Sequence, residues 1–136
     1  MGNVLGIGID MVLVSEIREL DKRTKGAFVK KTFTATEKED AKESQDLYTF
    51  YAGRFAVKEA VFKAVAHLTE EKSFDFRIVE TKRLPDGRPR VMMAGSLGEV
   101  MKQSGIEDIL ISVSNEADYA IAIAEAVGPG NAFGAE

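Results

Sequence analysis

Between Leu47 and Ala66 the sequence LYTFYAGRFAVKEAVFKAVA places apolar residues at helical spacing on nearly every side. At about 100° per residue, Tyr51, Phe55, Phe62 and Ala66 form one stripe, while Leu47, Phe50, Val57, Val61 and Val65 form another. Gly53, Ala56, Ala60 and Ala64 make a third, small-residue face. The pattern predicts one long helix, fading near His67 and Leu68, whose bulky faces need cover and whose small face admits a neighbouring backbone. The same helix carries Arg54, Lys58, Glu59 and Lys63, and charge in an interior requires a compensating partner or metal. One reading pairs Glu59 with Lys63 across one helical turn and sends Arg54 and Lys58 out to solvent along their stems. The other makes these charges a site.

The chain opens with VLGIGID, where Ile7 and Ile9 alternate with Gly6 and Gly8 and the run stops at Asp10. This predicts a short strand delivering an acid at its end, with glycines on one face leaving room for another backbone or a ligand. Asp10 could equally cap the helix that follows, since Val14, Ile17 and Leu20 have helical spacing. Thr34 and Glu37 predict a capping box that starts a short polar helix to about Glu43, and Ser96 with Glu99 predicts a second box on a helix ended by Gly105. Phe74, Phe76 and Ile78 alternate toward Leu84, Pro85-Asp86-Gly87 turns the chain, and Val91 to Met93 returns, so a hairpin is expected. Ile109 to Ser114 and Tyr119 to Ala126 read as a second strand pair. The expected order is strand, three helices, hairpin, helix, hairpin. That is an α+β layout with a small antiparallel sheet packed on a long central helix, in one domain over residues 1–127, followed by a disordered tail at 128–136.

Composition narrows this picture. At 136 residues the chain suffices for one core, and it has no cysteine, which excludes a disulfide framework and a thiolate metal site. No apolar run reaches membrane-spanning length and no secretory leader is evident, so a cytoplasmic protein without membrane partners is expected. A net charge of −4 argues against nucleic-acid binding. The charge is uneven, however: Arg18, Lys22, Arg23, Lys25, Lys30 and Lys31 face only Glu19 and Asp21 in the same stretch. GIGID lacks the third glycine and following acid of a dinucleotide fingerprint, which removes that fold.

GIGID followed by GRFAVKEAVFKA (Gly53 to Ala64) resembles the paired signature stretches of the holo-acyl-carrier-protein synthase group of phosphopantetheinyl transferases. The FTATE box (Phe33 to Glu37), DGRPRV (Asp86 to Val91) and ISVSNEADYAIA (Ile111 to Ala122) extend the resemblance over nearly the whole chain. It implies a 4′-phosphopantetheinyl transferase-like fold, a homotrimer with sites between subunits, and coenzyme A and an acyl carrier protein as partners. The basic stretch then becomes the surface that meets an acidic carrier.

The implied chemistry is attack by a carrier serine on the β-phosphate of coenzyme A, releasing adenosine 3′,5′-bisphosphate. The resemblance assigns Asp10 and Glu59 to a magnesium ion, which suits a hard cation that takes one or two carboxylates and fills its other positions with water and phosphate. The family's larger relatives carry a further acid two residues on, where this chain has Val12, so water completes the set. Arg54, Lys58 and Lys63 fit phosphate or leaving-group contacts, and Arg88, Ser114 and Asn115 complete the expected coenzyme A set. Glu59 and Lys63 are the expected catalytic groups, while Glu59 and a water held by Asp10 both remain open as base. Arg88 and Arg90 could touch the adenosine or decorate a solvent edge. His67 is expected to be structural or solvent-facing rather than catalytic.

Two positions depart from the family. Asn115 stands where His is usual, and an amide can donate to phosphate but cannot carry charge or take a proton near neutrality. Lys31 replaces an arginine before the FT box, losing bidentate geometry. Two other readings follow from these residues: a noncatalytic module of the same fold that binds carrier or coenzyme A, and a purely structural α+β domain.

Overall fold

The computed structural model describes residues 2–70 and 75–129. Strand β1 (Val4–Leu13) leads into four helices, α1 (Val14–Arg23), α2 (Ala27–Thr32), α3 (Ala35–Lys42) and α4 (Leu47–Val65). A single 3-10 turn (Phe76–Ile78) precedes the hairpin β2 (Thr81–Arg83) and β3 (Pro89–Val91), then α5 (Ser96–Gln103) and a second hairpin, β4 (Asp108–Glu116) and β5 (Tyr119–Val127). The main sheet is antiparallel in the order β1-β5-β4, and β2-β3 stands apart as a two-stranded ribbon. This is the expected α+β arrangement, with α4 across one face of the main sheet.

Small residues bring helix and sheet together. A Cβ at Gly8 would lie 1.9 Å from the Ala60 carbonyl oxygen and one at Gly6 would lie 2.0 Å from that of Ala64. Only glycine permits that approach. β5 contributes a matching row, Ala120, Ala122, Ala124 and Ala126, all buried against α4 together with Ala56, Ala60 and Ala64. The bulky stripe of Val57, Val61 and Val65 packs instead with Val79, Val91, Leu97 and Met101, which closes the core beneath β2-β3 and α5. A second cluster joins Val14 and Ile17 of α1 to Phe33, Tyr51 and Ala52.

The other face of the main sheet is apolar and uncovered within the chain. Ile7, Ile9 and Met11 of β1, Tyr119 and Ile123 of β5 and Leu110 of β4 are all exposed.

Several expectations are corrected. β1 runs on through Met11, Val12 and Leu13, paired with β5 as far as Tyr119, so Asp10 lies within the strand opposite Ala122 and caps no helix. The backbone of α1 is capped from a distance: Val14 donates to the Asp118 carbonyl and Ser15 Oγ bonds the Asp118 carboxylate in the β4-β5 turn. A fourth helix, α2, occupies the basic stretch where none was expected, entered through Gly26 at φ 87°. Phe76 and Ile78 lie in the 3-10 turn rather than a strand, so the ribbon is shorter than its alternation suggested. The Thr34/Glu37 box forms, whereas the Ser96/Glu99 box does not, because Gly95 at φ 79° is the cap and Ser96 is already helical. Phe74 and residues 130–136, most of the expected tail, lie outside the described residues.

Candidate active site

On β1, Gly6, Gly8, Asp10 and Val12 share the face turned to α4, and the two glycines set how near that helix comes. Asp10 therefore projects at the helix beside the turn that bears Glu59 and Lys63. Lys63 does not pair with Glu59. Its ammonium donates to Asp10 Oδ1 at 2.9 Å and to the Ile9 carbonyl at 3.1 Å, both on the strand. Glu59 sits near enough to Asp10 to feel it: burial first, and then the Asp10 charge, push the Glu59 carboxyl above the ordinary glutamate range, opposed by Lys63. The hydrogen bond to Asp10 in turn pushes the Lys63 ammonium up.

Two mutually repelling carboxylates beside a lysine make a local excess of hard oxygen donors. No group of three or more metal-ligating side chains occurs among the described residues, so the donor set is this pair. It fits magnesium, which accepts one or two carboxylates and keeps water and phosphate elsewhere. Asp10 and Glu59 are the residues that would hold it.

Lys58, expected to contact phosphate, is corrected to a structural role. Its ammonium is fully buried and donates to Glu37 Oε1 at 2.9 Å and to the carbonyls of Phe76 and Val79 at 2.9 and 2.6 Å, which satisfies all three of its donors. Glu37, in addition to its capping bond with Thr34, accepts from the backbone and hydroxyl of Thr81. The network ties α3 and α4 to the start of β2. Sequence reasoning saw Glu37 only as a cap, and no spacing rule signals its burial.

Arg54 lies five positions before Glu59, about 140° round the helix. It is buried, its guanidinium stacks 4.4 Å from the Phe50 ring centroid, and its Nε has no hydrogen-bond partner. Burial pushes its pKa down, against the pull of Asp40 and Glu37. Arg54 and Asn115 line one open depression with Asp46, Thr49 and Val113, and neither Asp10, Glu59 nor Lys63 reaches it. Ser114 faces the opposite side of β4, exposed on the outer sheet face across from Ile121. Arg88 is exposed and bonded to Asp86 in the hairpin turn, while Arg90 reaches Asp108 of β4 at 3.3 Å rather than standing free at the edge. His67 contacts the Leu5 carbonyl at 3.2 Å, consistent with a structural place. The expected residues thus fall into two groups on different sides of α4, with Lys58, Ser114 and Arg88 in neither.

The basic stretch becomes a surface on α1 and α2. Lys22, Arg23, Lys25, Lys30 and Lys31 are exposed, while Asp21, one of the two acids there, accepts from the Tyr48 hydroxyl at 2.8 Å.

Comparison with known proteins identifies the family. The family model described as the 4′-phosphopantetheinyl transferase superfamily matches residues 6–124. A holo-[acyl-carrier-protein] synthase of Desulforudis audaxviator is 41% identical over 126 residues, covering 93% of this chain and 95% of that protein. The crystal structure of the holo-[acyl-carrier-protein] synthase of Neisseria meningitidis superposes with a TM-score of 0.81 at 28% identity, covering 91% of this chain and 98% of the other. The Helicobacter pylori synthase, solved in complex with coenzyme A, gives 0.72 at 26% identity, covering 90% and 99%. Matched by the family model over most of its length and 41% identical to a named member, this chain belongs to the 4′-phosphopantetheinyl transferase superfamily.

Proposed function

We propose that this chain transfers the 4′-phosphopantetheine group of coenzyme A to a serine of an apo acyl carrier protein, releasing adenosine 3′,5′-bisphosphate. The observation that carries the reading is the meeting of Asp10, Glu59 and Lys63 where β1 presses on α4. Its relatives bear the name of this activity, and one is solved with coenzyme A bound.

Magnesium held by Asp10 and Glu59 would supply charge neutralisation to the diphosphate. Lys63, half exposed on a flexible stem, can place a point charge on the same oxygens. Glu59 and a water held by Asp10 are the two groups placed to take the serine proton. Arg54 offers an unpaired Nε, and Asn115 beside it an amide donor, for a phosphate remote from the reacting one. The cationic surface of α1 and α2 fits an acidic carrier, whose approach it would steer.

The two groups of residues sit on different sides of α4, so one coenzyme A would need the acid pair of one chain and the Arg54–Asn115 depression of another. The uncovered apolar face of the main sheet supplies the surface for that association. A homotrimer in the cytoplasm is our reading, with no helix among the described residues long and apolar enough to cross a membrane. Light scattering should return three times the chain mass of 14.9 kDa.

Incubation with coenzyme A, magnesium and a panel of apo carriers, read by mass spectrometry, tests the activity. A carrier gaining the mass of phosphopantetheine supports it. Tight carrier binding with no mass gain would instead make the chain a binding module, with Asn115 the first residue to restore to histidine.

A further inference from the structure

We propose that Lys63 is an internal counter-ion that competes with a divalent cation for Asp10, and that the phosphates of coenzyme A relieve the competition by drawing the lysine away. The inference rests on the cation role proposed above for Asp10 and Glu59. Its ground is where the ammonium sits. Lys63 is spaced to pair with Glu59 along its own helix, yet it crosses to the strand and takes Asp10 Oδ1 and the Ile9 carbonyl. Its side chain is 52% exposed and bonded to a carboxylate that is 13% exposed, so the lysine occupies an oxygen that a cation would take.

An ammonium and a divalent ion on one carboxylate oxygen repel each other, so the two are alternative partners for Asp10. Lys63 is free to leave: it has two acceptors and an open path to water, in contrast with Lys58, which is enclosed by three. A diphosphate brought to the same corner supplies new anionic oxygens for the lysine. Cation and coenzyme A then bind with positive coupling, and reciprocity requires each to tighten the other by the same factor.

The test is calorimetric titration of Mg2+ into the full chain at low ionic strength, with and without coenzyme A, after subtracting Mg2+ binding to coenzyme A alone. Lys63→Gln should bind Mg2+ about fivefold more tightly than the wild type in the absence of coenzyme A, and coenzyme A should then tighten it less. Lys63→Arg, which keeps the charge, should stay near the wild type. Melting curves establish that both variants are folded. Asp10→Asn and Glu59→Gln should lose Mg2+ binding. If they do and Lys63→Gln binds no more tightly than wild type, the competition is overturned while the acid pair stands. Gain of affinity in Lys63→Arg equal to that in Lys63→Gln would also overturn it. Undiminished Mg2+ binding in Asp10→Asn and Glu59→Gln would remove the acid pair as the cation site, and the inference with it.

Discussion

Two lysines on α4 each hold a carboxylate at 2.9 Å, and the likeness ends there. Lys58 and Glu37 have side chains 0% exposed, with every donor and acceptor engaged in stitching α3, α4 and β2. Lys63 and Asp10, about one turn further along, stand at the surface with few partners. The first pair is sealed and serves the fold, whereas the second is open to solvent on the lysine side and belongs to the site we propose. Charge on a central helix therefore acquires its role from what encloses it, since a lysine holding a carboxylate is common to both.

Breaking the sealed pair should have the largest effect. Glu37→Gln leaves a buried lysine without its carboxylate and should destabilise the chain by about 3–5 kcal/mol in denaturant unfolding, much of which Glu37→Gln/Lys58→Met should recover. Near-normal stability of the single variant would erase the contrast.

Breaking the open site should show the opposite profile. Glu59→Gln should lower turnover roughly 100-fold or more, with the fold intact. Its stability should also carry a sign. Burial and Asp10 hold the Glu59 carboxyl above its unfolded value, so the folded chain binds that proton more tightly. Below the ordinary glutamate range both states are protonated and nothing is lost. As pH climbs from there through the raised folded value, the unfolded state ionises first and stability falls. The loss is complete once pH exceeds the raised folded value, so above it Glu59→Gln should melt at or above the wild-type temperature, with its relative advantage shrinking in acid. A variant that is inactive and also less stable across the whole pH range would contradict this.

Next comes the seam between the elements. Gly8→Ala puts a methyl 1.9 Å from the Ala60 carbonyl and should cost about 1–3 kcal/mol in thermal unfolding. Smallest of all, Lys63→Gln should change stability by less than about 1 kcal/mol, because the lysine end of its pair is half exposed to water.

Much of this architecture was legible in the sequence. The all-round apolar pattern of Leu47 to Val65 and the glycine face of β1 predicted a close helix–strand contact, and Gly6 and Gly8 make it with Ala64 and Ala60. The pairing of Asp10 with this helix was legible through the paired motifs. The fate of each lysine was not. In one dimension Lys58 reads as solvent-seeking and Lys63 as the partner of Glu59, whereas the packing of Phe76 to Thr81 encloses Lys58 and Lys63 crosses to Asp10. Helix α2 was missed because FVKKT has too few residues to show a period, and Gly26 starts it by geometry rather than by a side-chain cap. The Ser96 box failed for a related reason: the conformation of Gly95, which residue identity does not dictate, moved the helix start by one position.

With the roles proposed for Asp10 and Glu59, the backbone-to-backbone seam of β1 and α4 has a consequence for every catalytic cycle. Because Gly6 and Gly8 lock the strand against the helix, the acids carried by these two elements are gathered once, during folding. Substrate need not spend part of its affinity on assembling the charged corner, and a preorganised site of this kind can direct that affinity toward the transition state instead.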